Sequence, residues 1–332
     1  MIDIREKLKK SYVQVGILFF TLALYLVTNS LFGSAKNPYN FLPPLFGALI
    51  VVEFFIFVGF EVKDGAKKYG WKHEIVDTII ALVIAVGVWY GFSLVLNTST
   101  PISGVVSCSM LPNLQRGDFV IVQGAPVASY EISMTQNELD SLNSPATIFY
   151  DDKNISIPGS IFPFCISSSD NEPCQFFIKN PQSLVEKKGV FTYHYQQCTI
   201  NYSNGSSATE PCLKSVTFKG KEYLANFSND IIVYKPPSGD VFSKIGDIVH
   251  RTMFKINVDG KYYYLTRGDN NPLLDMQAYD YGTGAVNHPI PQENLRGKVI
   301  ARIPLLGYFK LFLSGYFSED PQCKMQLGFD HL

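Results

Sequence analysis

Hydrophobic positions crowd the first hundred residues and are spaced out afterwards. Three early runs, Tyr12 to Phe32, Leu42 to Phe60 and Ile75 to Leu96, are apolar on every side. The first holds no charged residue, the second only Glu53 and the third only Asp77. Each is about the twenty residues a spanning helix needs. The pattern predicts three transmembrane helices, over about 12–32, 42–60 and 75–96, within a membrane region 1–97. The first run is too long for a cleavable secretory signal, and two more follow it.

After residue 100 the period changes. "DFVIV", "DIIVYKP", "KYYYLTRG" and "GKVIARI" are short, rich in β-branched and aromatic residues, and bounded by Gly, Asp, Asn and Pro. They predict a mainly-β domain over 98–123 and 229–318. Residues 124–228 read differently, as a Ser-, Asn- and Pro-rich insertion forming a disulfide-containing β subdomain, and 319–332 as a polar tail. "IPLLGYFKLFLSGYF", Ile303 to Phe317, is too short for a confident span. It reads either as an amphipathic, membrane-dipping segment or as a buried terminal strand and helix.

Charge adds a direction. Arg5, Lys7, Lys9 and Lys10 precede the first run, Lys36 lies after it, and Lys63, Lys67, Lys68 and Lys72 follow the second. The positive-inside rule then puts the N-terminus in the cytoplasm and everything after Leu96 outside. N-x-S/T sequons at Asn97, Asn154, Asn201, Asn204 and Asn226 all fall on that outer side. So do Cys165, Cys174, Cys198 and Cys212, which suit disulfides in an oxidising compartment. Sequence neighbours are the favoured pairs, Cys165 with Cys174 and Cys198 with Cys212. Strand alternation turns Cys108 away from Ser107 and Ser109 and leaves it unpaired, and Cys323 has no evident partner. A net charge of -1 argues against a nucleic-acid partner. No metal-ligand spacing is present, and no metal or cofactor is expected. Glu53, inside a span, reads as a proton or substrate contact or as a protonated or helix-paired carboxylate.

"SGVVSCSMLPNLQRGDFVIV", Ser103 to Val122, begins just after the third run and carries a small hydroxyl cluster. A serine nucleophile needs a base, most often histidine, itself oriented by a carboxylate. Of five histidines, His73 lies between the second and third runs, His331 near the end and His194 in the insertion; His250 and His288 lie in the strand-rich part. His250 sits in "KIGDIVHRTMF", and "LTRGDNNPLLD" then offers Asp269 and Asp275. Taken singly these signals are weak.

In order they are specific. "S-x-S-M-x-P" at Ser107 to Pro112 is followed by "RGDFVIV", "NDIIVYKP", "IVHR", "LTRGDNN" and "GKVIARIPLLGY". The series resembles signal peptidase I of the archaeal and endoplasmic-reticulum type, which uses Ser/His/Asp where the bacterial type uses Ser/Lys. The resemblance covers roughly 98–123 and 229–310. It departs from the family in the extra spans, the long insertion and Cys108, which stands where Gly is frequent.

With the apolar runs read above, the expected fold class is three N-terminal transmembrane α-helices plus a mainly-β, extracytoplasmic catalytic domain, whose signal-peptidase-like character is what the resemblance implies. The resemblance implies Ser109 as nucleophile, His250 as base and Asp275 as the triad acid. Asp269 would support the loop and is the rival for the acid role, or only a turn former. The Ser109 N–H and the Ser107 hydroxyl would form the oxyanion hole; otherwise Ser107 is a small strand residue. Met110 would pack at the membrane-facing edge. The implied activity is a membrane serine endopeptidase that removes signal peptides after A-x-A-like sites. Implied partners are signal peptides of secretory preproteins, the lipid bilayer and the secretion translocon. The extra spans and the insertion favour a plasma membrane over the endoplasmic reticulum. Competing readings are an inactive surface protein whose insertion binds partners, and a peptidase for a narrow set of surface precursors.

Overall fold

The structure, a computed structural model, describes residues 4–32, 39, 42–304, 307–313 and 321–328. The chain divides into two compact units, Met1–Phe92 with Phe309–Glu319, and Ser93–Tyr308 with Asp320–Leu332.

The apolar runs form helices α1 (Ile4–Phe32), α2 (Leu42–Tyr69) and α3 (Trp71–Val95). Among the described residues, Leu45–Tyr69 and Trp71–Val95 are long and apolar enough to cross a membrane, while the apolar stretch of α1, Val13–Thr28, is shorter. Large side chains such as Phe20, Phe55, Val83 and Leu94 are exposed. The linker expected after Phe60 is helical too, because α2 runs on through its charged residues to Tyr69. Gly70, at φ 88°, ends it and allows α3 to begin at Trp71. Thr21 of α1 donates to Glu53 Oε1 of α2 at 3.0 Å, which gives this carboxyl a partner on a neighbouring helix.

The second unit is built on two sheets. Its strands are β1 (Ile102–Gly104), β2 (Phe119–Gln123), β3 (Tyr130–Ser133), β4 (Ala146–Tyr150), β5 (Lys153–Ile157), β6 (Val185–Lys188), β7 (Phe191–Tyr202) and β8 (Ser207–Phe218). They continue with β9 (Lys221–Leu224), β10 (Ile231–Tyr234), β11 (Ile248–Val258), β12 (Lys261–Arg267), β13 (Ile290–Pro291), β14 (Leu295–Ile303) and β15 (Met325–Gly328). The first sheet runs β1-β2-β14-β10-β11-β12-β13, and the second β5-β4-β6-β7-β8-β9. Tight turns set the registers. Asp259 and Gly260 close the β11–β12 hairpin with both φ positive, and Lys219 and Gly220 close β8–β9 in the same way. This turn geometry follows the natural strand twist.

The segment 124–228 does not fold apart from the first sheet. Its β3 pairs in parallel with β11, and β4 to β9 make most of the second sheet. One core joins both parts: Phe191, Tyr193 and Tyr195 of β7 pack with Phe254 of β11, Leu265 of β12 and Met276. The Phe191 and Phe254 rings stack at 5.4 Å. At the other end of the chain, β15 pairs with β7, so the second sheet takes a strand from the expected tail.

Three disulfides close the fold. Cys165–Cys174 and Cys198–Cys212 pair as sequence neighbours. The third is a correction, since Cys108, expected to be unpaired, is bonded to Cys323. Strand alternation does not hold there, because residues 105–117 between β1 and β2 form turns, not a strand. The two cysteines lie 215 positions apart, and Cys323 is followed directly by β15, which pairs with β7. Met110 is also corrected: it is buried with Val105, Leu114, Val120 and Val233 rather than packed at an edge. Within the Ile303–Phe317 segment the described part holds a short helix, Tyr308–Leu313; residues 305–306 and 314–317 lie outside the described residues.

Candidate active site

Strand register brings the central residues together. In the β10–β11 pairing His250 lies opposite Ile232, and Tyr234 follows two residues on, hence on the same face. Thr252, two residues past His250, lies opposite Thr266 of β12. Tyr234, His250 and Thr266 therefore share one face of the first sheet. All three are buried. After β12 the chain turns through Gly268–Leu274 and enters a single 3-10 turn, Asp275–Gln277, which presents the Asp275 carboxylate to that face.

Asp275 Oδ2 accepts from His250 Nδ1 at 2.6 Å, from Thr266 Oγ1 at 2.6 Å and from the Tyr234 hydroxyl at 3.0 Å. A carboxylate only accepts, so the partners assign the imidazole proton to Nδ1. That leaves Nε2 as an acceptor facing Ser109 Oγ, 2.9 Å away. Burial, and then the Asp275 charge, push the Tyr234 phenol well above its ordinary range, so it stays protonated as a donor. Asn287 Nδ2 holds the Asp275 backbone carbonyl at 2.8 Å.

Ser109 comes from the turn segment between β1 and β2. Ser107 Oγ lies 3.1 Å from Ser109 Oγ, on a half-buried residue. The turn meets the acidic loop closely. Asn270 N donates to Ser109 O at 2.7 Å, and a Cβ at Gly268 would stand 2.6 Å from the same oxygen. Glycine there allows the two loops to touch.

Asp269 is not at the histidine. Its carboxylate takes two bonds from Arg251, Nε to Oδ1 at 2.7 Å and Nη2 to Oδ2 at 2.8 Å, and one from Asn113 Nδ2 at 2.7 Å. Alternation explains the separation. Arg251 follows His250 on β11 and points to the opposite face. Asp269 follows the arginine and Asp275 the histidine. Of the residues singled out in the sequence, the structure thus gathers Ser107, Ser109, His250 and Asp275, and sets Asp269 apart as the partner of Arg251.

The second sheet props the acidic loop. Leu213 N of β8 donates to Pro272 O at 2.7 Å. Arg267 Nη1 reaches Leu213 O at 3.2 Å, and its Nε reaches Asn271 O at 2.9 Å. Burial pulls the Arg267 guanidinium down to about 10, against the pull of the Asp269 and Asp275 charges. Gln277 Nε2 donates to Tyr195 OH at 2.8 Å and Ser160 Oγ at 3.2 Å. Both hydroxyls in turn donate to Glu186 Oε2, at 2.6 and 2.8 Å. Burial raises the Glu186 carboxyl above its ordinary range.

Sequence reasoning missed Tyr234, Thr266, Asn270 and Asn287. Three of them lie inside quoted motifs, "DIIVYKP" and "LTRGDNN", yet nothing local marks a Tyr or Thr as a carboxylate donor. Asn287 lies in no motif. Chemically, a serine hydroxyl against a neutral imidazole, backed by a buried carboxylate, is equipped to lose its proton as it attacks a carbonyl carbon.

No family model matches the chain. Over 85 residues it is 33% identical to the signal peptidase complex catalytic subunit sec11 of Sclerotinia sclerotiorum, covering 26% of this chain and 44% of that protein. The corresponding subunit of Verticillium alfalfae is 31% identical over 85 residues, with the same shares. That of Pyricularia oryzae is 33% identical over 89, again 26% and 44%. The chain thus spans less than half the length of the curated relatives it matches, 44% of each. Over a stretch of that length the chain is similar to the catalytic subunits of signal peptidase complexes, and the resemblance to signal peptidase I read from its motifs is borne out.

Proposed function

We propose that this chain is a membrane-bound serine endopeptidase that removes N-terminal signal peptides from exported preproteins. The observation that carries the reading is His250, hydrogen-bonded to Ser109 Oγ on one nitrogen and to Asp275 on the other. In the proposed reaction Ser109 Oγ attacks the scissile carbonyl carbon while His250 Nε2 takes its proton. Asp275 holds the ring and offsets the charge of the imidazolium. His250 then gives the proton to the leaving amine, and an acyl-enzyme remains on Ser109. Water, deprotonated by the same nitrogen, releases the acid and restores the serine. The Ser109 N–H and the Ser107 hydroxyl are the proposed donors to the tetrahedral oxyanion, a role usually worth a few kcal/mol per donor. Asp269 is proposed to support this loop from its place on Arg251.

The substrate class rests on the similarity to signal peptidase catalytic subunits and on chain position. Ser109 follows the end of α3, at Val95, by only a short link. A nucleophile so soon in sequence after an apolar run suits a peptide that is itself membrane-inserted and cut just outside the bilayer. Small residues at the cut, in the A-x-A manner, are the proposed specificity. Three spans, a cytoplasmic N-terminus and an extracytoplasmic catalytic unit are the proposed topology. The Lys/Arg distribution supports it, as do three disulfides and the exposed sequon residues Asn154, Asn201 and Asn204. Residence in the plasma membrane is proposed on the extra helices and the long 124–228 segment alone; the relatives lend it no support. The bilayer and the secretion translocon are proposed partners.

The test is cleavage of a detergent-solubilised preprotein carrying an A-x-A site by wild type and by Ser109→Ala. Loss of cleavage in the variant is expected. Equal cleavage by both removes the proposal.

A further inference from the structure

The residue next to Ser109 is covalently tied to the far end of the chain. Cys108 is bonded to Cys323, with their Cα atoms 4.9 Å apart. Residues 321–328 then run into β15, which pairs with β7 from Met325 opposite Tyr202 to Gly328 opposite Thr199. Ser203 N adds a bond to Lys324 O at 2.8 Å. This segment is therefore anchored on the second sheet at one end and on the nucleophile turn at the other.

A second connection runs in parallel through Asn270. Its backbone N–H donates to Ser109 O at 2.7 Å, and its Nδ2 to Cys108 O at 3.1 Å. The same Nδ2 donates to Met325 O at 3.0 Å, and Leu327 N donates to Asn270 Oδ1 at 2.7 Å. Gln322 Nε2 reaches Asn271 Oδ1 at 2.8 Å and Asn270 O at 3.3 Å. One buried residue thus holds the Ser109 carbonyl through its backbone N–H, and the Cys108 carbonyl and the backbone of the C-terminal strand through its side chain. Past the backbone bonds that tie Val105 to Gly117 and Asp118, the nucleophile turn is not part of any strand, and displacement of a reacting group by about 1 Å costs on the order of a hundredfold in rate.

We infer that Pro321–Gly328 is a positioning clamp for Ser109, acting through the Cys108–Cys323 disulfide and Asn270, so that the site works at full rate only with that disulfide closed. The inference rests on the serine-peptidase reading above. It also makes the site sensitive to dithiol reductants. One reductant thiolate attacks a sulfur of the pair and releases the other as a thiolate. The second reductant thiol then resolves the mixed disulfide. Two electrons and two protons pass to Cys108 and Cys323, and the reductant leaves as its own disulfide.

The experiment measures kcat and KM of the full chain in detergent, well below each variant's Tm. It compares wild type, Cys323→Ser, Asn270→Asp and the double variant Cys165→Ser/Cys174→Ser. Asn270→Asp keeps the acceptor for Leu327 N and removes both Nδ2 donations. A closed disulfide also constrains the unfolded chain, so loss of Tm alone says nothing about positioning. The expected result is a fall in kcat of roughly tenfold or more in Cys323→Ser and Asn270→Asp, with KM unchanged. The Cys165→Ser/Cys174→Ser variant is expected to lose Tm and keep kcat. Wild-type kcat in Cys323→Ser overturns the clamp. Where that variant does not accumulate, wild-type kcat in Asn270→Asp overturns it equally. Wild type that neither cleaves nor reacts at Ser109 with a fluorophosphonate removes the peptidase reading and the clamp together. That outcome differs from an active wild type matched by its variants, which removes the clamp alone.

Discussion

Two histidine–aspartate pairs stand close together in the second unit, and only one has a serine. His250 Nδ1 meets Asp275 at 2.6 Å, and His288 Nδ1 meets Asp240 at the same 2.6 Å. The first pair is buried on both sides, each side chain 7% exposed, whereas the His288 side chain is 44% exposed. His250 offers its second nitrogen to Ser109. His288 Nε2 makes no hydrogen bond to a described residue, and the His288 backbone N–H binds the same aspartate at 2.9 Å, which makes Asp240 a local brace. A histidine–carboxylate contact is thus not a site by itself. What distinguishes the first pair is exclusion of water, a hydroxyl on the free nitrogen, and two further donors that fix the carboxylate.

The largest expected effect separates the pairs directly. Ser109→Ala, His250→Ala and Asp275→Asn should each lower kcat by about 10⁴-fold or more, measured on a preprotein. Retained cleavage in Asp275→Asn, with loss in a folded Asp269→Asn, would reverse the assignment of the acid. Next comes stability at the other aspartate. Asp269 is buried and its two-bond partner Arg251 is half-buried, and losing a charge-assisted pair of this kind costs roughly 1–3 kcal/mol. Asp269→Asn should therefore show a lower denaturation midpoint and weakened, not abolished, cleavage.

A third test uses Glu186, a buried carboxyl without a histidine. Its three donors, Ser160, Tyr195 and the Ile161 N–H, all bind Oε2. Because burial raises its folded value above the unfolded one, its contribution to stability is complete below the ordinary carboxylate range. That contribution is lost as pH rises through the folded value. Denaturation midpoints measured against pH should fall toward alkaline pH in wild type, and fall less in Glu186→Gln. Equal slopes would sink this account. The smallest effect is at the exposed pair, where His288→Ala should leave cleavage at the wild-type rate and stability within about 0.5 kcal/mol.

The candidate site residues were legible through the order of their motifs, which resembles signal peptidase I, and not through any motif alone: Ser107 and Ser109, then His250, then a loop offering both Asp269 and Asp275. The supporting donors were not. Tyr234 and Thr266 reach Asp275 through β10–β11 and β11–β12 register, which a list of residues does not contain. The long 124–228 segment was legible as β-rich and disulfide-bearing. Its merger into the core of the first sheet was not, because β3 pairs with β11 across more than a hundred residues. The same holds for the tail, whose polar composition hid a strand.

By itself, the amino-acid sequence determined what depends on neighbours. Apolar runs became helices because every side of each run is hydrophobic, β-branched segments became strands, and Cys165–Cys174 and Cys198–Cys212 paired across short separations. Tertiary structure decided which aspartate meets the histidine, because successive residues of β11 face opposite ways and carry Asp275 and Asp269 to different sides. It also decided the bond between Cys108 and Cys323, because a contact across 215 positions has no local signal and depends on where the chain beyond residue 320 is placed, with β15 paired to β7.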